Sequence, residues 1–288
     1  MARLVWDQTG ARVYETGDKQ VALFVQNTDG TYKKGVAWNG ITAITETPSG
    51  AEATDLWADD TKYATMRSAE QFGGTIEAYT YPDEFEQCDG TAHVDGASGL
   101  SIGQQARRSF GLAYITTVGN DTELNDYGEK LHLVYGCTAS PSERSYATIN
   151  DSPEAITFSW EFETTPVDVQ GYPNLKKTSL LTIDKKKVGN NELYENLKKK
   201  IYGDGTTAGT NDPTLLLPHE IIAFLGASLP AYTYTVLTSG TAPEDWSTTY
   251  INYFKKISDD PEEYEQLTRQ ATPPTYAANT YYERSLAT

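Results

Sequence analysis

A mainly β fold of antiparallel strands with one packed helix is what this sequence predicts, on three observations. Short segments of alternating apolar and polar residues recur along the first three quarters of the chain. Twenty tyrosines and a heavy load of threonine favour pleated, half-buried surfaces. Helical periodicity is confined to two short stretches.

The strands follow in order. Val21–Val25, Val36–Thr45 and Thr75–Tyr81 come first, then Arg108–Thr117, Lys130–Tyr135, Ile156–Glu163 and Ser179–Ile183. The pattern is cleanest from Ile156 to Glu163, where Ile156, Phe158, Trp160 and Phe162 alternate with polar residues. A period of two buries one strand face, and such alternation suits antiparallel rather than parallel sheets. Turn residues separate the runs at Asn27–Gly30, Asp89–Gly99 and Gly119–Gly128. Over Asn191–Tyr202 the period changes: Leu193, Leu197 and Ile201 form one helical stripe, lysines gather at its C-terminal end, and Gly203 stops it. Asp260–Gln270, with Pro261 in a first-turn position and acids behind it, predicts a second helix.

Length alone allows one large β domain or a smaller one with an appendage. Composition places a boundary near residue 226. Residues 1–225 form the β domain; residues 226–288 form an extension rich in Ala, Ser, Thr, Pro and Tyr, where Ala231–Leu237 adds one strand.

Charge excludes one large class of function. The net charge of −17 opposes binding to phosphate backbones, which need cations. The start of the chain lacks a secretory signal and no run is long enough to span a bilayer, so synthesis and folding in a cytoplasm, without membrane insertion, are expected. Cys88 and Cys137 are too few for a disulfide framework or a zinc site and read as buried thiols.

Catalytic patterns are missing. His219-Glu220 begins like a zinc-protease helix, but the position four after His219 is Ala223. Gly96–Gly99 lacks the spacing of a nucleophile elbow, and Asp89–Asp95 lacks the alternating oxygen ligands of a calcium loop. No glycine-rich phosphate loop occurs. Glu161 and Glu163 lie on the polar side of a strand, where solvation explains them; a hydrolytic carboxylate pair would form in space, and nothing in the sequence selects one. The expectation is no catalysis, no cofactor and no metal.

Specific residues add a resemblance. Gly35–Thr54 with Tyr63, Ser68–Phe85 with Cys88–Gly90, Gly103-Gln104, Arg107–Gly111, Gly119–Asp121 and Leu131–Gly136 follow one another as in the major tail proteins of siphophages infecting Gram-positive bacteria. Ala139–Glu143, Asn150–Ile156, Phe158–Glu161, Thr165-Pro166 and Leu217–Ile221 continue the same order. From about Val13 to Phe224 the chain resembles that family; the extension has no counterpart in its compact members. The resemblance implies a β-sandwich or partly open barrel flanked by one helix, shared with the tube of type VI secretion. It implies six-fold rings, stacked into a hollow tail tube for DNA ejection. The implied partners are further copies of the chain, a tape measure protein in the lumen, and tail terminator and distal tail proteins at the ends. Double-stranded DNA passes through without specific binding. A tail terminator or capsid decoration protein is the alternative. In either case the virion is the implied location.

Stacking needs a contact element. Glu46–Asp60 contains Pro and Gly and has no strand signal of its own, so it reads as a long loop. In the resembled family such a loop touches neighbouring subunits. Glu46, Pro48, Ser49, Glu52, Asp55, Leu56, Trp57, Asp59 and Asp60 are therefore the expected contact residues, with Trp57 as anchor. Trp38 and Trp160 are expected in the core.

Overall fold

The computed structural model describes residues 4–93, 99–146, 148, 155–172, 175–205, 212–226, 232–236, 253–259, 262–266 and 281–286. The motif positions 96–98 and 150–154 lie outside them. Two compact units divide the chain, Met1–Leu225 and Gly226–Thr288.

The first unit opens with β1 (Val13–Val25), β2 (Val36–Ala37) and β3 (Ile41–Glu46). A projecting segment carries β4 (Ser49–Gly50), β5 (Ala53–Ala58), β6 (Thr61–Arg67) and β7 (Glu70–Gln71). Then come β8 (Gly73–Ala78), a 3-10 turn (Asp83–Phe85), β9 (Ala92–His93), β10 (Ser101–Ile102), β11 (Phe110–Asn120), β12 (Leu124–Ala139), β13 (Phe158–Thr164) and β14 (Leu180–Asp184). Among the described residues α1 (Lys185–Val188), α2 (Asn191–Tyr202) and α3 (Pro218–Phe224) close the unit.

One antiparallel sheet organises the unit, in the order β2-β1-β11-β12-β13-β8-β3, with β14 also on β12. Its two end strands are separated in the chain only by Trp38, Asn39 and Gly40, so the sheet curls back towards itself without closing. The predicted strand Val36–Thr45 is thus two strands. Trp38 interrupts it: its backbone N–H donates to Val21 at 2.9 Å and its indole N–H to the Thr80 carbonyl at 2.8 Å. Gly40, at φ +78°, makes the turn.

The inside of the curl is apolar. Trp160 is fully buried among Trp38, Tyr81, Phe85 and Phe158, with ring centroids 5.1–5.7 Å away. Trp38 is buried beside it, and Cys88 and Cys137 are free thiols in the same cluster. On the sheet's other side Ala113, Ile115, Leu131, Leu133 and Tyr135 pack against α2 and α3. The central strands are therefore buried on both faces. One-sided alternation holds for β13 but not for β11, which is buried at nine of its eleven positions.

Helix α2 has the predicted bounds. The Asn190 side chain accepts a hydrogen bond from Leu193 N–H, an N-cap, and Lys199 and Lys200 stand in the last turn. Its buried stripe is Tyr194, Leu197 and Ile201 rather than the predicted Leu193, Leu197 and Ile201. Each buried side chain contributes about 2 kcal/mol. Helices α1 and α3 were not predicted. Asp184 caps the first, and Pro218 with a Glu220–Leu217 N–H bond opens the second.

The second unit holds β15 (Tyr232–Val236), β16 (Tyr253–Asp259), β17 (Glu262–Gln266) and β18 (Tyr281–Leu286) in the order β15-β18-β16-β17, all antiparallel. The strand predicted at Ala231–Leu237 is present. The helix predicted over Asp260–Gln270 is not: Glu262–Gln266 pairs with β16. That stretch has only Tyr264 and Leu267 as large apolar residues, too few for a stripe, so sheet pairing overrides helix propensity.

One polar cluster ties loops to this frame. The Arg144 guanidinium pairs with the nearly buried Asp89, lies 5.5 Å from the ring centroids of Tyr81 and Phe158, and shares Asp89 with Arg107 at 3.7 Å. Arg144→Ala leaves a buried carboxylate short of its closest partner. The expected loss is about 3 kcal/mol in urea unfolding.

Candidate assembly interface

Beyond Glu46 the chain leaves the sheet and returns at Gly73. The expected loop is instead a two-stranded arm. Ser49 and Gly50 pair with Gln71 and Glu70 at its root, and β5 pairs with β6 above. Asp59 and Asp60 turn the tip with φ +48° and +58°, the backbone that a two-residue hairpin requires. Strand alternation does not reveal this arm because every residue of β5 is exposed and so is nearly all of β6. The signal that is available is Thr61, Tyr63 and Thr65, three β-formers at alternate positions of the return strand.

Leu56, Trp57, Tyr63 and Met66 are exposed on the arm, Trp57 at 68% and Tyr63 at 77%. A two-stranded ribbon is marginal alone in water, and clustered exposed apolar side chains mark contact surfaces. Asp55 is engaged within the hairpin: Lys62 and Thr65 donate to its carboxylate at 2.7 and 2.8 Å and hold its pKa below the usual value. Glu52, Asp59 and Asp60 are exposed, while Pro48 and Ser49 stand at the root. Tyr63 and Met66 join the expected contact residues from the other strand.

Glu46 stands at the foot of the arm, on the last position of β3. It sits at the open seam between β1 and β3, where Tyr114 O–H donates to it at 2.5 Å and His132 Nδ1 lies 3.8 Å away. Tyr114 stacks flat on His132 at 4.8 Å. The His132 Nε2 is 2.9 Å from Thr116 Oγ1 and 3.5 Å from Glu15, and Lys130 bonds Glu15. Thr182 of β14 completes the group, 3.4 Å from His132 Nδ1. This network joins five strands and was not visible in the sequence.

Burial lowers the His132 pKa, against the pull of Glu46 and Glu15. Burial raises that of Glu15, but hydrogen bonds from Lys130 and Thr116 outweigh it and leave the value lowered. Glu129 behaves alike: burial raises its pKa, but Lys198, Lys19 and Lys185 together outweigh it. A histidine with a depressed native pKa takes its proton first in the unfolded chain, so stability falls as pH drops below about 6.5. The carboxylates add stability that is complete above the unfolded value, about 4.5, and is lost as pH falls through their lower native values. Urea midpoints are therefore expected to decline in two stages on acidification, and His132→Gln removes the first.

Among the described residues no three His, Cys, Asp or Glu side chains gather as a metal site, and no helix is long and apolar enough to cross a membrane. Burial pushes the Cys88 thiol up to about 12 and the Cys137 thiol well above its ordinary value, so neither is a reactive nucleophile.

No known protein-family profile matches the chain, and no curated protein matches it. Solved structures give distant likenesses. The SPP1 tail tube aligns with 68% of this chain and 97% of its own, at 11% identity and a TM-score of 0.31. A chain of the six-fold symmetrised anti-feeding prophage baseplate aligns with 64% of this chain and 97% of its own, at 8% identity and a TM-score of 0.29. At such scores neither likeness decides fold or function.

Proposed function

We propose that this chain is the structural subunit of a bacteriophage tail tube, a major tail protein whose copies form rings that stack into a hollow cylinder. The observation that carries this is the projecting arm, an exposed ribbon with Trp57, Tyr63 and Met66 at its surface and no covering element in the chain's described part. The ordered sequence resemblance from Val13 to Phe224 supports it. So does the open sheet, since β2 and β3 each pair on one side only. Free edges invite pairing, and ring closure at six copies satisfies them all.

The charge of −17 suits a bore through which duplex DNA must slide, because a basic wall would hold the phosphates. Part of it lines the channel in this reading. A tape measure protein fills the lumen before ejection, and terminator and distal tail proteins cap the ends. The subunit performs no catalysis and needs no cofactor. It assembles in the host cytoplasm and ends in the virion tail. Residues 226–288 decorate the outside or lie across a neighbour.

Negative-stain microscopy of concentrated, purified protein tests the proposal. Hollow cylinders are expected. Isolated rings would favour a terminator and shell binding a capsid decoration protein, while material that stays monomeric at every concentration overturns the assembly reading.

A further inference from the structure

Charge on this chain is sorted by segment. Between Lys176 and Lys200 stand eight lysines and only three carboxylates, although the whole chain is strongly acidic. Six of these lysines form two triplets, Lys185–Lys187 in α1 and Lys198–Lys200 in α2. Some are engaged: Lys185 bonds Glu195 at 2.7 Å, Lys198 bonds Glu129 at 3.0 Å, and Lys186 lies 3.9 Å from Glu123. Lys187, Lys199 and Lys200 are exposed, without an ion pair among the described residues. Lysines in a last helical turn complement the dipole. The three unpaired lysines all stand in such last turns, and Lys199 and Lys200 together leave a positive patch open to an anion on the surface of α2.

Beside this ridge runs a groove between α2 and the edge strand β2. Val36, Tyr202 and Pro213 supply apolar surface to it, and Lys19, Lys198 and Lys199 supply cations. Asp18 and Glu195 also line it, and Glu195 is already held by Lys185. A ligand for this groove needs apolar side chains to lie on the first surface and carboxylates to meet the second.

The arm has both. Residues 46–60 carry five carboxylates and no basic residue. Leu56 and Trp57 are exposed just before the tip, and Asp59 and Asp60 form the tip itself.

We propose that the arm tip of one copy seats in the groove between β2 and α2 of a second copy. Trp57 lies on the Val36, Tyr202 and Pro213 surface, and Asp59 and Asp60 meet Lys199 in the groove and Lys200 next to it in α2. The proposal rests on the tube-subunit reading and adds the acceptor to it. The two surfaces differ, so the contact is heterologous and repeats from copy to copy, as a polymer requires. Its ionic part weakens as salt shortens the reach of the charges.

Thiol pairing tests this directly. Cys88 and Cys137 are buried, so Asp60→Cys with Lys199→Cys in the full chain gives two exposed thiols. After assembly and mild oxidation, a ladder of linked multimers is expected on a non-reducing gel. Tubes that yield only monomer bands, or only links within one chain, overturn the proposal.

Charge exchange separates it from the broader reading. Lys199→Glu with Lys200→Glu, or Asp59→Lys with Asp60→Lys, is expected to raise the protein concentration needed for assembly about tenfold at low salt. All four together return it to within about threefold of the native chain. Near-native circular dichroism accompanies each, since these side chains are exposed and the strain of lysine at the two positive-φ positions is confined to the arm tip. Pairs that assemble as the native chain does refute the acceptor and leave the tube reading standing; a native chain that never assembles removes the tube reading itself.

Discussion

Trp57→Ala is expected to leave the monomer as stable as the native chain and to stop it polymerising. Its side chain is 68% exposed, so truncation removes almost no buried contact, and unfolding should shift by no more than about 0.5 kcal/mol. Assembly is different. Aromatic anchors dominate interfaces, and the loss of one costs about 2 kcal/mol per contact, which is about a thirtyfold weaker association. Every added copy repeats that loss. Excising Ala53–Arg67 and joining the β4–β7 root by a short turn should have the same outcome more completely, because the root ladder of Ser49–Gly50 with Glu70–Gln71 stays paired. Sedimentation together with negative staining checks both variants. Tubes of normal length and yield from the excised chain would remove the arm from assembly altogether.

The largest expected loss of stability is at a glycine of the main sheet. Strand β12 pairs with β14 through Val134 and with β13 from Cys137 onward. Between them Gly136 turns the strand, with φ +62°. Its N–H meets the Tyr32 hydroxyl at 3.0 Å, and its carbonyl accepts from Thr165 N–H at 2.9 Å. An added Cβ would lie 2.3 Å from the Thr165 carbonyl oxygen, a backbone atom that cannot move without opening the β12–β13 ladder. Gly136→Ala therefore combines left-handed strain with a steric clash and should cost about 3 kcal/mol or more. Gly189→Ala is the comparison: its φ is +71° with nothing within 4 Å of the added carbon, so only strain remains, about 1 kcal/mol. Equal urea midpoints for the two variants would defeat the argument.

Much of the chain was legible residue by residue where the cause is local. Helix α2 has its cap, stripe and glycine stop within a dozen residues, and both its bounds were predicted. Strand β13 keeps one face towards the core and one towards solvent, so its alternation was plain. In β11 alternation fails because helices cover the side that a lone sheet would leave wet. The first half of β1 shows no pattern; Gly17 and Gln20, both at positive φ, sit at its two register shifts, and pairing with β11 alone makes it a strand.

The candidate site divides the same way. The segment Glu46–Asp60 and its exposed Trp57 stand out in the sequence, but the hairpin does not, because an element that buries nothing leaves no hydrophobic period to read. The seam of Glu15, Glu46, Tyr114, Thr116, Lys130, His132 and Thr182 draws on five strands spread over most of the first unit.

By itself the sequence determined the mainly β class, the positions of the strong strands, the bounds of α2 and the acidic character of the whole, since each follows from local spacing or composition. Only the tertiary structure decided which strands are covered on both faces, where the sheet stays open, that the contact segment is a projecting ribbon, and which charges meet. Those outcomes depend on pairing between residues far apart in the chain, and the energy of such pairs belongs to the folded neighbourhood rather than to either segment alone.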